Sequence, residues 1–138
     1  MSVKDVVGKI EKRFGKEAVS RGNDKVQFIH SGSVLLDEAL GGGWAIGRIV
    51  EVYGAESCGK TAIHVAAEVQ KLGKAVGYVD VEQAMDPDYI QSLGVDMSED
   101  KWILSQPDDA EQALEIVREM CEEPAIGLVV LDSVAGLV

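Results

Sequence analysis

The octapeptide Gly54-Ala55-Glu56-Ser57-Cys58-Gly59-Lys60-Thr61 constrains this 138-residue chain more than any other feature. It fits G-x-x-x-x-G-K-[ST] at every fixed position and falls between an apolar run, RIVEVY at 48–53, and a helical pattern at 60–72. A strand, a glycine-rich loop and a helix in that order turn backbone N–H groups inward around an anion, and the helix N-terminus adds a favourable dipole. The chemistry of the motif gives Lys60 the β- and γ-phosphates, as a mobile point charge, and gives the Thr61 hydroxyl a place on Mg2+. A loop of this kind works only when a sheet holds the strand before it, so the remaining strands must be found.

They follow at regular intervals. Apolar runs at 75–81 (AVGYVDV), 102–104 (WIL) and 126–131 (IGLVVL) alternate with helical stretches at 87–93 and 109–122. Such alternation predicts βαβ crossovers, hence an α/β fold with a mainly parallel sheet covered by helices on both faces. Upstream, Ser33 caps a predicted helix over 34–40 that Gly41-Gly42-Gly43 ends. Val3, Val6, Val7, Ile10 and Phe14 recur at helical spacing and predict an amphipathic helix over 3–17. A turn at Gly22-Asn23-Asp24 and a short strand at 26–29 complete an N-terminal arm, residues 1–30, ahead of a core at 31–138. The apolar stripe alone suits either a helix folded onto its own domain or one docked on a neighbouring subunit.

Charge sharpens the division between arm and core. Lys plus Arg number 13 against 24 Asp plus Glu, for a formal net charge of −11. Residues 1–27 nevertheless carry 7 basic and 4 acidic side chains, so the acidity belongs to the core. This balance argues against a chain-wide basic surface for nucleic acid or anionic membrane, and any anion site must be local. No apolar run approaches the roughly 20 residues of a membrane-spanning helix, and the charged N-terminus is unlike a secretory signal. Two cysteines, Cys58 and Cys121, fit a reducing cytoplasm with no disulfide framework. Cys58 satisfies a need for a small side chain in the loop; a thiol at a helix N-terminus can also acquire a lowered pKa. His64 has no second His or Cys beside it and reads as a helix-surface or packing residue.

A nucleoside triphosphate site also needs an acid for Mg2+ and a group that orients the attacking water. The run Ile126 to Leu131 is closed by Asp132, the Walker B pattern, which puts that carboxylate at the C-terminal edge of the sheet as a metal group acting through water. The strand AVGYVDV is followed by Glu82, at the same edge, where a carboxylate can polarise water for attack on a γ-phosphate. Ordinary strand-end or helix-start charges are the competing account of Asp80 and Glu82.

The ordered blocks SGSVLLDEALGGG, GRIVEVYGAESCGKT, VDVEQAMDPDY with LGVD, SQPDDAEQALEI and VVLDSVAGL resemble the amino-terminal half of bacterial and phage RecA recombinases. The resemblance implies an ATPase core in which Glu82 is the catalytic glutamate, Asp132 the Walker B aspartate and Gly54 through Thr61 the phosphate loop. It further implies that Tyr89 stacks on adenine, that Asp86 lies near the exocyclic amine of the base, and that ATP and Mg2+ are bound. The arm becomes a contact with the adjacent protomer of a filament. Single-stranded DNA and homologous duplex DNA are the implied partners, met through regions beyond Val138. Ala55 replaces a common proline and Cys58 a common serine, while the turn from Gly41 to Gly47 is a residue short and lacks its proline. Family members also continue into a strand that inserts between the phosphate-loop strand and the Walker B strand. The expectation is therefore an incomplete sheet, in a fragment or a truncated or split gene product. Its function is either the ATP-binding part of a DNA-dependent recombinase or a non-catalytic module that modulates recombinase filaments.

Overall fold

The structure, a computed structural model, describes residues 2–20, 25–54 and 62–137. The expected turn at 22–24 and residues Ala55, Glu56, Ser57, Cys58, Gly59, Lys60 and Thr61 lie outside the described residues. In chain order the elements are α1 (Val3–Phe14), a 3₁₀ turn (Lys16–Ala18), β1 (Phe28–Ile29), α2 (Val34–Leu40), β2 (Trp44–Ala45) and α3 (Ala62–Lys71). Then come β3 (Ala75–Asp80), α4 (Pro87–Ser92), β4 (Trp102–Ser105), α5 (Ala110–Glu122), β5 (Ile126–Asp132) and a closing 3₁₀ turn (Val134–Leu137).

The core is a parallel sheet in the order β4-β3-β5. Its central strand reads Ala-Val-Gly-Tyr-Val-Asp and is buried from Val76 onward, as a strand covered on both faces should be. Alternate residues serve two layers. Val76 and Tyr78 of β3 pack with Leu128 and Val130 of β5 against Val65, Ala66 and Val69 of α3 and Ile90 of α4. Val79, Val129 and Leu131 face the other way, against Ala113, Ile116, Val117 and Met120 of α5. Val69, Val76 and Val79 are wholly buried, and each such valine contributes about 1.5–3 kcal/mol of transfer free energy.

One irregularity sets the phase of β5. Ala75 pairs with Ile126, but Val76 pairs with Leu128, so Gly127 is an extra residue in the ladder. The bulge lets Ile126 join the α5 layer together with Val129 and Leu131. Glycine is needed there because a Cβ would lie 2.7 Å from Lys74 Cβ and 2.8 Å from Val69 Cγ1.

Helix ends follow their capping signals. Ser2 and Asp5 form a reciprocal capping box on α1, Ser33 caps α2, Asp86 caps α4 and Asp109 caps α5. Gly41 ends α2 in a left-handed conformation. The small antiparallel pair β1-β2 leads into and out of α2, and Gly32 lies against His64 of α3, where a Cβ would be 2.8 Å from the His64 Cβ. His64 is half-buried against Gly32, the packing role of the two that the sequence allows.

Three expectations need correction. α1 stops at Phe14, not at residue 17, because Gly15 interrupts it and only a 3₁₀ turn follows. The strand at 26–29 contracts to Phe28–Ile29, whose register with Trp44–Ala45 leaves two paired positions. The apolar run 48–53 forms no strand: Ile49 is 102% exposed and Tyr53 88%. A strand requires a hydrogen-bonded neighbour. Among the described residues β5 pairs with β3 alone, and the run at 48–53 has no strand beside it with which to pair.

A polar clamp holds the loop between α4 and β4. Gln70, buried on α3, donates from Nε2 to the carbonyls of Asp96 (2.7 Å) and Lys101 (3.1 Å) and accepts at Oε1 from the Asp96 N–H (2.8 Å). Gln70→Leu keeps the bulk but strands the N–H and carbonyl of Asp96, while the Lys101 carbonyl keeps its bond from the Val76 N–H. It is expected to destabilise the fold by about 2–4 kcal/mol, read as a lowered midpoint in urea denaturation.

Candidate nucleotide-binding site

Parallel pairing places Asp80 directly opposite Asp132 at the ends of β3 and β5. Asp80, 2% exposed, accepts hydrogen bonds from the Ala84 N–H (3.3 Å), the Met85 N–H (3.1 Å) and Gln106 Nε2 (3.2 Å). It therefore ties the end of β3 both to the segment that follows and to the residue after β4. Within that segment Gln83 adopts φ 53, a left-handed conformation uncommon for a residue with a Cβ, and the chain turns back so that Ala84 and Met85 reach Asp80. Glu82 is carried on this turn and remains exposed.

Asp132 and Ser133 are joined by a cis peptide bond. Asp132 Oδ2 accepts the Tyr78 hydroxyl at 2.6 Å, and the Ser133 hydroxyl donates to Glu82 Oε1 at 2.5 Å. Burial pushes the Tyr78 phenol well above its ordinary range, and the bond to Asp132 pushes it further in the same direction. Tyr78 thus stays protonated and is the donor. Its ring stacks on Trp102 with centroids 5.5 Å apart.

Asp86 lies at the start of α4, where Oδ1 accepts from the N–H groups of Asp88 (3.1 Å) and Tyr89 (3.3 Å). Pro87 in the first turn suits that start, since it offers no N–H to satisfy. Tyr89 is 54% exposed.

Glu82, Asp86, Tyr89 and Asp132 are four of the residues the sequence singles out, and all four line one cavity of about 180 Å³ with Ile63, Tyr78, Asp80 and Ile90. Ile63 comes from α3, two residues beyond Thr61, so the helix that follows the octapeptide borders the same space. Gly54 is the one octapeptide residue described; it is exposed and belongs to no strand or helix. Tyr78 and Ser133 have no signal in the sequence. Tyr78 reads as one more β-forming residue in a buried strand, and its partner lies 54 positions away. Among the described residues no group of three or more His, Cys, Asp or Glu is arranged to hold a metal ion. Mg2+ that arrives on phosphates needs only one or two protein carboxylates, so the donor set of Asp132 beside Glu82 is compatible with it.

A parallel α/β sheet with helices on both faces, and a cavity at the carboxyl ends of its strands, defines the class of open α/β domains that bind ligands at that edge. Within that class the chain belongs to the RecA family: the family model described as the RecA N-terminal domain matches residues 1–138. It is 50% identical over 139 residues to Protein RecA of Rippkaea orientalis, covering 96% of this chain and 39% of that protein. It is 53% identical over 137 residues to Protein RecA of Lactobacillus delbrueckii subsp. bulgaricus, covering 94% of this chain and 41% of that protein. The chain therefore spans about two fifths of the length of these curated relatives. Among the described residues no helix is long and apolar enough to cross a membrane.

Asp80 is the anchor of the cavity wall. Asp80→Ala leaves two backbone N–H groups and the Gln106 amide without their acceptor. An expected loss of about 2–4 kcal/mol in denaturant titration should accompany faster proteolytic cleavage within residues 81–86.

Proposed function

We propose that this chain is the ATP-binding part of a DNA-dependent ATPase of the recombinase type, which forms filaments on single-stranded DNA and promotes homologous pairing and strand exchange in recombination and repair. The observation that carries the reading is the convergence of Glu82, Asp86, Tyr89 and Asp132 on one cavity bordered by the helix of the octapeptide. Relatives that share about half of its residues bear the name RecA.

In this reading the backbone of Gly54, Ala55, Glu56, Ser57, Cys58 and Gly59 cradles the phosphates, and Lys60 neutralises charge on the β- and γ-phosphates. Thr61 and Asp132 hold Mg2+, Asp132 through water; when bound, the ion offsets charge on the phosphate oxygens. Glu82 orients and deprotonates the attacking water, with the Ser133 hydroxyl fixing one of its oxygens. Tyr89 offers its exposed ring to adenine. Asp86 already uses Oδ1 as a helix cap, and its carboxyl also lines the cavity, where it can meet the exocyclic amine.

The arm, residues 1–30, is the self-association element in this proposal, and residues 31–138 belong to the ATPase core. No residue of α1 is buried, and Val3 and Phe14 are 81% and 66% exposed, so the apolar stripe is open to another protomer. The same stripe supports the second reading, a module that docks on recombinase filaments without catalysis. DNA contacts would come from regions beyond this chain, and the cytoplasm is the proposed compartment.

Two substitutions in the full-length protein test the site. Lys60→Ala is expected to weaken Mg·ATP binding by roughly 10- to 100-fold, the cost of one charge-assisted contact, in equilibrium dialysis. Glu82→Gln is expected to retain binding while lowering turnover by about 100-fold or more in a phosphate-release assay. Undiminished hydrolysis by the Gln variant would remove Glu82 from the reaction.

A further inference from the structure

Tyr78 occupies an unusual place for a core tyrosine. Its backbone lies on the central strand, paired with Leu104 on one side and Val130 on the other, and its side chain is 4% exposed. The ring is held against Trp102, itself 7% exposed, at an interplanar angle of 25°. A ring fixed in this way gives its hydroxyl almost no choice of position, and that hydroxyl lies 2.6 Å from Asp132 Oδ2. The distance is that of a strong O–H···O bond to a carboxylate. Asp132, by contrast, sits at the last position of a strand that, among the described residues, has a neighbour on one side only. Both side chains line the shared cavity.

We propose that Tyr78 is a positioning residue for the metal carboxylate. Its hydroxyl engages Asp132 Oδ2, fixes the rotation of the carboxyl group and leaves Oδ1 for the water shell of a divalent cation carried by the nucleotide. The inference rests on the reading of Asp132 as the Mg2+ carboxylate. Tyr78 acts on the cation through Asp132, as the outer partners of metal ligands do. A phenylalanine would fill the same volume and keep the stack on Trp102, so the hydroxyl can be tested apart from the packing.

The test follows binding of a ribose-labelled fluorescent ATP analogue to the full-length protein, first in EDTA and then across a Mg2+ titration. Wild type, Tyr78→Phe, Asp132→Asn and the double variant are compared. Tyr78→Phe is expected to raise the Mg2+ concentration for half-maximal binding about tenfold or more, within the range found for outer partners of metal ligands. Binding in EDTA should be unchanged, which also reports that the variant is folded. In the Asp132→Asn background Tyr78→Phe should have no further effect on the Mg2+ requirement, because the two act as one unit. An unaltered Mg2+ requirement in Tyr78→Phe, with a raised one in Asp132→Asn, overturns the role of Tyr78 and leaves the reading of Asp132 standing. A Tyr78→Phe shift that persists in the Asp132→Asn background also overturns it, since the effect would then come from packing. A normal Mg2+ requirement in Asp132→Asn removes the reading of Asp132 and the inference with it.

Discussion

Strand β3 is hydrogen-bonded along both edges, and both neighbours run parallel to it. Parallel strands finish at the same end, so the chain that leaves β3 and the chain that leaves β5 emerge side by side. That is why Asp80 stands opposite Asp132, and why Glu82 and Ser133 come within hydrogen-bonding reach across 51 positions of sequence. In an antiparallel arrangement the same residues would lie at opposite ends of the sheet. The cavity at the strand ends is a product of strand direction before it is a product of any one side chain.

Two buried polar side chains then fix what the strands leave loose. Gln70 reaches from α3 to the backbone at Asp96 and Lys101, and Asp80 reaches to Ala84, Met85 and Gln106. Both are buried, and both satisfy backbone N–H groups on irregular chain, at Asp96 for Gln70 and at Ala84 and Met85 for Asp80. An unpaired polar group in such a place costs more than the net gain of a typical hydrogen bond, so these contacts select the loop conformation. The turn that carries Glu82 is thereby tied to the core although Glu82 itself faces solvent.

Much of this was legible beforehand, for identifiable reasons. β3, β4 and β5 are apolar runs with breaks at either end, α5 begins at an aspartate cap, and α2 lies between Ser33 and Gly41. Each is specified locally. Glu82, Asp86, Tyr89 and Asp132 were identifiable because strand-end carboxylates and a DPDY block can be read without knowing what they touch. The run 48–53 misleads because an apolar run encodes the capacity to pair and says nothing of whether a partner is present. Tyr78, the anchoring role of Asp80 and the bond from Ser133 escape notice for a related cause: each depends on a partner brought close only by the sheet. The stripe of α1 is equally plain in the sequence, yet its neighbour is not encoded in the stripe itself.

The extra residue at Gly127 has a consequence for how this strand tolerates change. The bulge works as a slip joint. Upstream of it Ile126 belongs to one layer, and downstream Leu128, Val130 and Asp132 keep step with the other, the layer that includes Tyr78. The beginning of the strand can therefore answer to the packing of α5 while its far end answers to the phenol. A one-residue length change in the α5–β5 connection can be taken up before the joint, leaving the carboxylate on its proper side. The same change after the joint would turn Asp132 to the opposite face of the sheet, out of reach of Tyr78. Five paired positions, from Leu128 to Asp132, lie beyond the joint and hold that far end of β5 in register.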